Sequence, residues 1–384
     1  MKILLRALRA KQSPHSGLEI ASGKNRPRND TTFSSFILPP SSFGVLMNTK
    51  QRFLNALKRE PVDRVPVAAV ATGITVQMQE KSGFLWPEAH KDADQLAELA
   101  ESIHRYTDIE CIKLPFCMTV EVEALGAEID YRTRDTVPTE KHHLYAHPEQ
   151  LMIPADFFDR ARVPVVLSAI SQLRKKYDNE IAIVTSIVGP FSLAEKIFGF
   201  DNFLTWVVDQ PEWIHQAMRA LTPLALRYSQ AQINAGADAI IVGEAGCSGG
   251  LISPNTYRDF ILPYHRELCA AIAVPTIMHI CGKSTRHTPH IAQTGASAYN
   301  FDEGVDVNIA RQNLQGKVAV TGYVPTVTVL LDGTPDDVYQ SAWECLANGV
   351  DILTPGCAMA PHTPLVNIAA MTRAAHDWAR KGRA

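Results

Sequence analysis

The chain has 384 residues, 46% of them hydrophobic and 20% charged, with a formal net charge of −3 at pH 7. This composition is typical of a soluble globular protein with one large α/β domain or two small ones, and the charge argues against nucleic-acid binding. No apolar stretch approaches the ~20 residues that a membrane helix needs, so we expect no membrane association.

The first 46 residues differ from the rest of the chain in charge and pattern. They contain seven Lys/Arg against two acidic residues, and the remainder of the chain therefore carries a charge of −8. They are basic, contain Ser and show no hydrophobic periodicity, so an organelle transit peptide is one interpretation. We favour a disordered or non-native N-terminal extension over 1–46, followed by a single catalytic domain over 47–384.

Short Val- and Ile-rich runs alternate with stretches of helical period from about residue 60 onward. In one such stretch Ile214, Met218, Leu221, Ala225 and Tyr228 recur at helical spacing. Alternating strands and helices indicate parallel pairing through right-handed crossovers. The eight predicted strands are 64–71, 108–115, 180–189, 237–245, 274–281, 296–302, 318–324 and 350–356.

A local repeat supports this pattern. The segments 234–242, 293–301 and 347–354 each combine a helix end, a Gly and an apolar strand. Eight such units predict an α/β fold of the (β/α)₈ TIM-barrel type, and the lack of GxGxxG after the first strand disfavours a dinucleotide-binding sheet. Residues 116–163 break the repeat, and we predict an inserted excursion after strand 2, with a β-hairpin.

The predicted fifth strand ends in "HIC", which places His279 and Cys281 on one face because side chains alternate along a strand. Both residues lie where a barrel carries its active site, and Cys357 follows the eighth strand at the same rim. His-x-Cys with a distant Cys fits a three-ligand zinc site with an open fourth position. The alternative is that each is an ordinary packing residue at a strand end.

Other candidates have weaker support. Glu244 ends the fourth strand and is either a displaceable fourth zinc ligand, a base, or a loop acid that caps the next helix. Cys247 follows it and could approach the site, whereas Cys269 and Cys345 lie in helical patterns and are expected to pack. The seven scattered cysteines suit a reducing compartment, so we expect a cytoplasmic protein.

From Met47 onward the sequence resembles the uroporphyrinogen decarboxylase superfamily. The resemblance rests on "TKQRFLNALKREPVDRVPV", "GPFSLAEKIFG", "GGLISPNTYRDFILPY", "PTIMHICG" and "PGCAMAPHTP", which occur in the expected order. It implies a (β/α)₈ barrel. Decarboxylases of this superfamily follow strand one with arginines and carry a Gly-His-Gly after the last strand. This chain has no arginine in "VAAVATGITVQMQ" and has Cys357 after Gly356.

The chain is instead similar to the methylcobamide:coenzyme M methyltransferase branch, whose His-x-Cys plus distant Cys pattern matches His279, Cys281 and Cys357. The resemblance implies a Zn²⁺ site and transfer of a methyl group from a methylated corrinoid, carried by a separate corrinoid protein, to a small thiol. Glu244 and Asp302 are then candidates to position or deprotonate the acceptor. The alternatives are a metal-free decarboxylase, a barrel that only binds a corrinoid protein or stores zinc, and a zinc enzyme that either methylates a different acceptor, such as a folate, or demethylates a donor substrate onto cobalt.

Overall fold

A computed structural model describes residues 47–314 and 316–381. The predicted extension over 1–46 lies outside these residues. Within them, no helix combines the length and apolar character needed to cross a membrane.

The strands of the described residues form one curled parallel sheet and a separate hairpin. Seven strands pair in the order β1-β4-β5-β6-β7-β8-β9, and every pairing between neighbours is parallel. The strands are β1 Cys111–Leu114, β2 Ile129–Asp130, β3 Thr139–Glu140, β4 Ala182–Val188, β5 Ala239–Gly243, β6 Thr276–His279, β7 Ala298–Asn300, β8 Ala319–Val324 and β9 Ile352–Pro355.

The predicted first strand, 64–71, closes the ring through a single bridge. The Ala68 N–H donates to the Leu353 carbonyl at 3.0 Å, and the Glu110 N–H donates to the Val67 carbonyl at 2.8 Å. The segment does not lengthen into a ladder, because Pro66 has no N–H and the Val67 N–H donates to the Glu110 carboxylate at 3.1 Å. It therefore links β9 to the start of β1, as the predicted barrel requires.

Helices follow the strands along the chain, as the sequence pattern predicts. Gly236, Gly295 and Gly349 have φ of 119°, 84° and 73°, so the predicted helix–Gly–strand repeat is confirmed at all three positions. The helices are α1 Thr49–Leu57, α2 Val76–Ser82, α3 Ala93–Thr107, α4 Val120–Ala124, α5 Val163–Tyr177, α6 Pro190–Phe198, α7 Phe200–Asp209, α8 Pro211–Ala235, α9 Pro254–Thr256, α10 Leu262–Ala271, α11 Thr288–Ile291, α12 Val307–Leu314, α13 Pro335–Ala347 and α14 Leu365–Lys381.

The insertion after the second predicted strand contains the expected hairpin. Strands β2 and β3 pair antiparallel, with Ile129 opposite Glu140. The short helix α4 precedes the hairpin, and α5 returns the chain to the barrel at β4. The excursion therefore extends the connection between two neighbouring barrel strands without interrupting their pairing.

A buried ion-pair network fixes the amino end of the barrel. Arg52 of α1 is 5% exposed and contacts Asp63 at 2.6 Å and Glu110 at 2.5 Å. Arg64 also contacts the Glu110 carboxylate. Since Glu110 receives the Val67 N–H as well, this network holds the segment that closes the ring. It lies at the end of the strands opposite to His279.

We expect Arg52→Ala to lower the free energy of unfolding by about 3 kcal/mol, because it removes the guanidinium that two buried carboxylates share. Urea denaturation followed by circular dichroism measures the loss. The control is Arg219→Ala, which removes an exposed pair with Glu212 and should leave the unfolding midpoint unchanged. Equal midpoints for both variants would contradict the structural role of Arg52.

Candidate metal centre

Three potential metal ligands converge at the carboxyl end of the barrel. His279 is the last residue of β6, Cys281 follows two residues later, and Cys357 lies two residues beyond the end of β9. Their ligand atoms all lie within 4.8 Å of one another, and the Cys357 Sγ is 3.8 Å from the His279 Nε2. Among the residues that the structure describes, these three side chains form a group that could hold a metal ion.

A hydrogen-bond chain sets the orientation of the His279 ring. The Asn300 amide nitrogen donates to the Thr354 Oγ1 at 2.8 Å and faces the Thr321 carbonyl at 3.5 Å, which can only accept. The Asn300 Oδ1 therefore accepts from the His279 Nδ1–H at 2.6 Å. This tautomer leaves the Nε2 lone pair directed toward Cys357 and available for a metal.

Burial also keeps the imidazole in the form that binds metals. His279 is 8% exposed, and burial lowers the pKa of its ring. The positive charge of Lys113 acts in the same direction. Only a neutral imidazole has a lone pair to offer a metal ion, so the environment favours ligation over protonation.

The two thiols are partly buried and lie close to each other. A hydrogen bond from Cys357 lowers the pKa of Cys281, and the same hydrogen bond together with burial raises the pKa of Cys357. Two thiolates this close repel each other, so the second one needs a cation between them to form. The pair can bind a divalent metal ion in that way.

Asp302 shapes the two loops that carry the thiols. Its Oδ2 accepts the Gly282 N–H at 2.5 Å and its Oδ1 accepts the Gly304 N–H at 2.9 Å. Gly282 has a φ of 78°, a left-handed conformation that glycine adopts without strain. A Cβ on Gly356 would lie 2.8 Å from the Asp302 Cα, so the Cys357 loop packs directly on this residue.

Glu244 is fully buried and caps a neighbouring helix. Its Oε2 accepts the Ser192 N–H at 2.8 Å, and its Oε1 accepts the Phe191 N–H at 3.3 Å, at the start of α6. The Oε1 also lies 2.9 Å from the His265 Nε2. Glu244 is not one of the three residues of the candidate metal centre. Glu244 is therefore a capping carboxylate, but the helix that it caps is α6, which precedes it in the chain, and not the next helix as the sequence analysis suggested.

Two side chains of this region were missed by the sequence analysis. Asn300 is the register partner of His279 on β7, and only the strand pairing identifies it. Lys113 is 6% exposed within β1. Its position in the apolar run "DIECIKLP" could have indicated that this lysine is buried. Cys247 is fully buried with its Sγ 3.7 Å from the Glu244 Oε2, and it does not belong to the candidate metal centre.

A cavity opens at the same end of the barrel, beside β4 and β5. It has a volume of about 340 Å³. The side chain of Glu195 is half-buried there, and burial raises its pKa to about 7. The residues that line the cavity include Met118, His143, Ser192, Glu195, Lys196 and Ala245.

The family model for uroporphyrinogen decarboxylase (URO-D) matches residues 48–378. The chain belongs to the URO-D family. This membership confirms the resemblance found in the sequence.

Within the URO-D family, the relatives with high identity are methyltransferases. A methylated-thiol–coenzyme M methyltransferase of Methanosarcina mazei is 34% identical over 331 residues, which cover 86% of this chain and 90% of that protein. A methylcobamide:CoM methyltransferase of Methanosarcina barkeri is 32% identical over 333 residues, covering 86% and 98%. A solved methyltransferase structure from Methanosarcina mazei superimposes with a TM-score of 0.84 at 33% identity, covering 86% of this chain and 99% of that one. The match confirms the predicted barrel fold.

We expect Glu244→Gln to lower the free energy of unfolding by about 1 to 3 kcal/mol, because it replaces the buried acceptor of the α6 amino terminus. Urea denaturation measures the change, and Glu267→Gln on the exposed face of α10 is the matched control. Metal content should stay at the wild-type level in both variants. A loss of metal with unchanged stability would instead identify Glu244 as a ligand.

Proposed function

We propose that this protein is a zinc-dependent methyltransferase that transfers a methyl group from a methylated corrinoid to a thiol such as coenzyme M. The observation that carries the proposal is the convergence of His279, Cys281 and Cys357 at the active end of a URO-D barrel. The names of the methyltransferase relatives support the same reaction. We propose residues 47–384 as the catalytic domain.

The three side chains fit a zinc ion in donor chemistry and spacing. Tetrahedral zinc with bonds of about 2.0–2.3 Å places its ligand atoms roughly 3.5–3.8 Å apart. The Cys357 Sγ and the His279 Nε2 are 3.8 Å apart, and all three ligand atoms fall within 4.8 Å. Thiolates favour zinc over magnesium or calcium, and three protein ligands leave a fourth position open for the acceptor thiol.

Zinc at these ligands supplies the positive charge that keeps a bound thiol, with an ordinary pKa of about 8.5, in its thiolate form at neutral pH. The chain contributes orientation. Asn300 holds the His279 ring with its Nε2 inward, and Asp302 holds the turn after Cys281. Asp302 thus acts in the proposal as a positioning residue, and Glu244 supports the neighbouring helix.

The proposed reaction is a methyl transfer from cobalt to sulfur. The acceptor thiolate attacks the methyl carbon, the S–C bond forms, and the Co–C bond breaks with its electron pair remaining on cobalt. The residues that the structure describes form the barrel, its helices and the hairpin insertion. We therefore propose that the corrinoid arrives on a separate protein, which presents it over the carboxyl ends of the strands.

The free cysteines of the described chain fit a reducing compartment, so we propose that the reaction takes place in the cytoplasm.

We expect the purified wild-type protein to contain about one zinc per chain and Cys357→Ala to lose it, because two remaining ligands do not close a stable site. Elemental analysis measures the metal, and thiol-dependent demethylation of methylcobalamin measures the activity. Cys269→Ala, a cysteine of α10, is the matched control and should keep both. A wild-type protein that demethylates methylcobalamin equally well after chelation would overturn the zinc mechanism.

We expect Asn300→Ala to weaken zinc binding by about 10- to 100-fold, because the His279 ring loses the partner that fixes its tautomer. Competition with a chromophoric chelator gives the affinity. Asn234→Ala, an exposed amide on α8, should bind zinc like the wild type. Unchanged affinity in Asn300→Ala would show that His279 is oriented by other contacts.

A further inference from the structure

Cys117 and Arg162 form a buried contact at the carboxyl end of the barrel that the proposed reaction does not use. Cys117 follows β1 and is 7% exposed, and Arg162 directly precedes α5 and is 4% exposed. The Arg162 Nη1 lies 3.2 Å from the Cys117 Sγ. Neither residue belongs to the candidate metal centre.

Both neighbours of this sulfur are arranged to donate hydrogen bonds to it. A guanidinium has no acceptor, so Arg162 donates through its Nη1. The Thr119 Oγ1 lies 3.2 Å from the Cys117 Sγ and accepts the Arg162 Nη2–H at 2.8 Å, which directs the hydroxyl proton at the sulfur. A thiol hydrogen would compete with both donors, so the geometry favours the thiolate form of Cys117.

The guanidinium of Arg162 is held in place on its other sides. Its Nε contacts the Glu123 carboxylate at 2.5 Å, and its central carbon lies 5.0 Å from the centre of the Tyr131 ring. The Tyr131 hydroxyl donates to the same carboxylate. These contacts keep the cation beside the sulfur.

Cys117 differs in this respect from the other cysteines outside the metal centre. Burial favours its neutral form, but the charge of Arg162 and the nearby His90 and Thr119 hold the pKa of Cys117 well below its usual range. Burial dominates at the other positions, where it raises the pKa to about 12 for Cys111, to about 11 for Cys269 and Cys345, and well above the usual range for Cys247.

Two buried donors near Cys117 have unused hydrogen-bonding capacity. His90 is 2% exposed, and its Nε2 has no hydrogen-bond partner among the residues that the structure describes. The Lys113 Nζ donates one hydrogen bond, to the Pro115 carbonyl at 2.6 Å, although an ammonium has three N–H groups. Buried polar groups without partners are rare in folded proteins, so these donors indicate room for a small polar ligand beside the sulfur.

We propose that Cys117 is a modification site, a thiolate that hydrogen peroxide oxidises to the sulfenate. Because Cys117 is 7% exposed, the oxidant has to be small. The sulfur attacks one peroxide oxygen, the S–O bond forms, and the O–O bond breaks with its electron pair on the leaving hydroxide. The hydroxide takes the proton of the sulfenic acid, so the sulfur loses two electrons and the peroxide is reduced to water. His90 and Lys113 are the donors available to the sulfenate oxygen.

The first test treats the full-length protein with hydrogen peroxide in the presence of dimedone, which traps sulfenic acids. Zn²⁺ is added to protect Cys281 and Cys357, and peptide mass spectrometry reports the adduct at each cysteine. We expect Cys117 to react roughly tenfold faster than Cys269, although Cys269 is the more exposed residue. Each cysteine is measured separately, so the result does not depend on whether the candidate metal centre binds zinc.

The pH dependence of the same reaction distinguishes a thiolate from an ordinary thiol. The rate at Cys117 should stay nearly constant between about pH 6 and pH 8, whereas the rate at Cys269 should rise by about tenfold per pH unit as its thiol ionises. The titratable groups whose charges act on Cys117 are Arg162, His90, Lys113, Glu121, Tyr131 and Tyr228.

Removal of the cation should abolish this behaviour. We expect Arg162→Met to slow the oxidation of Cys117 by about tenfold at neutral pH, and Arg162→Lys to recover part of the rate because it restores the charge. Arg160→Met, which removes an exposed pair with Asp156, is the matched control and should react like the wild type. The unfolding midpoint of each variant shows that its fold is intact.

The wild-type measurements decide the proposal even if an Arg162 variant does not fold. A lack of adduct at Cys117, or a rate there that rises with pH as at Cys269, would overturn it and leave the contact with Arg162 as a purely structural one. A folded Arg162→Met protein that is oxidised at the wild-type rate would also overturn it.

Discussion

Closure of the barrel is the constraint on which the candidate site depends. Strands β6 and β9 are three positions apart in the sheet, which in a flat sheet of about 4.8 Å spacing would separate them by roughly 14 Å. The segment around Val67 bonds to Leu353 on one side and to Glu110 on the other, so the sheet curls into a ring. Side chains from opposite parts of the ring then meet above its axis, which is how a thiol after β9 comes within 3.8 Å of an imidazole at the end of β6.

The two ends of the barrel differ in how their polar side chains are paired. At the amino end Arg52, Asp63 and Glu110 form a mutually compensated network that holds the closing segment. At the carboxyl end the ligand atoms of two thiols and an imidazole lie within 4.8 Å of one another. The first arrangement stabilises the folded state, whereas in the second a cation between the two thiols would be needed to stabilise both thiolate forms. This division agrees with the general separation of stability and activity between the two faces of such barrels.

Much of this could be predicted from the sequence, and the omissions have physical causes. The alternation of strands and helices indicated the fold, and the two-residue period of the predicted strand indicated the His279–Cys281 pair, although β6 ends at His279 and Cys281 lies just beyond it. Asn300 could not be predicted because it joins His279 through strand register, which the sequence does not contain. The first predicted strand reduces to one bridge because Pro66 lacks an N–H, and Glu244 turns toward α6 because the helix amino terminus offers it two N–H donors. These outcomes depend on competition among partners that are distant along the chain.

The close packing of Gly356 on Asp302 bears on how this site can diverge over evolution. Even a methyl group at position 356 would collide with backbone, so the path of the loop is set there. The next residue, Cys357, is only partly buried, and its Sγ lies within 4.8 Å of the ligand atoms of His279 and Cys281. Residue 357 can therefore be exchanged by a single mutation while the loop keeps its course. Such a position lets a lineage replace one functional group by another while Gly356 and Asp302 keep the backbone of the loop in place.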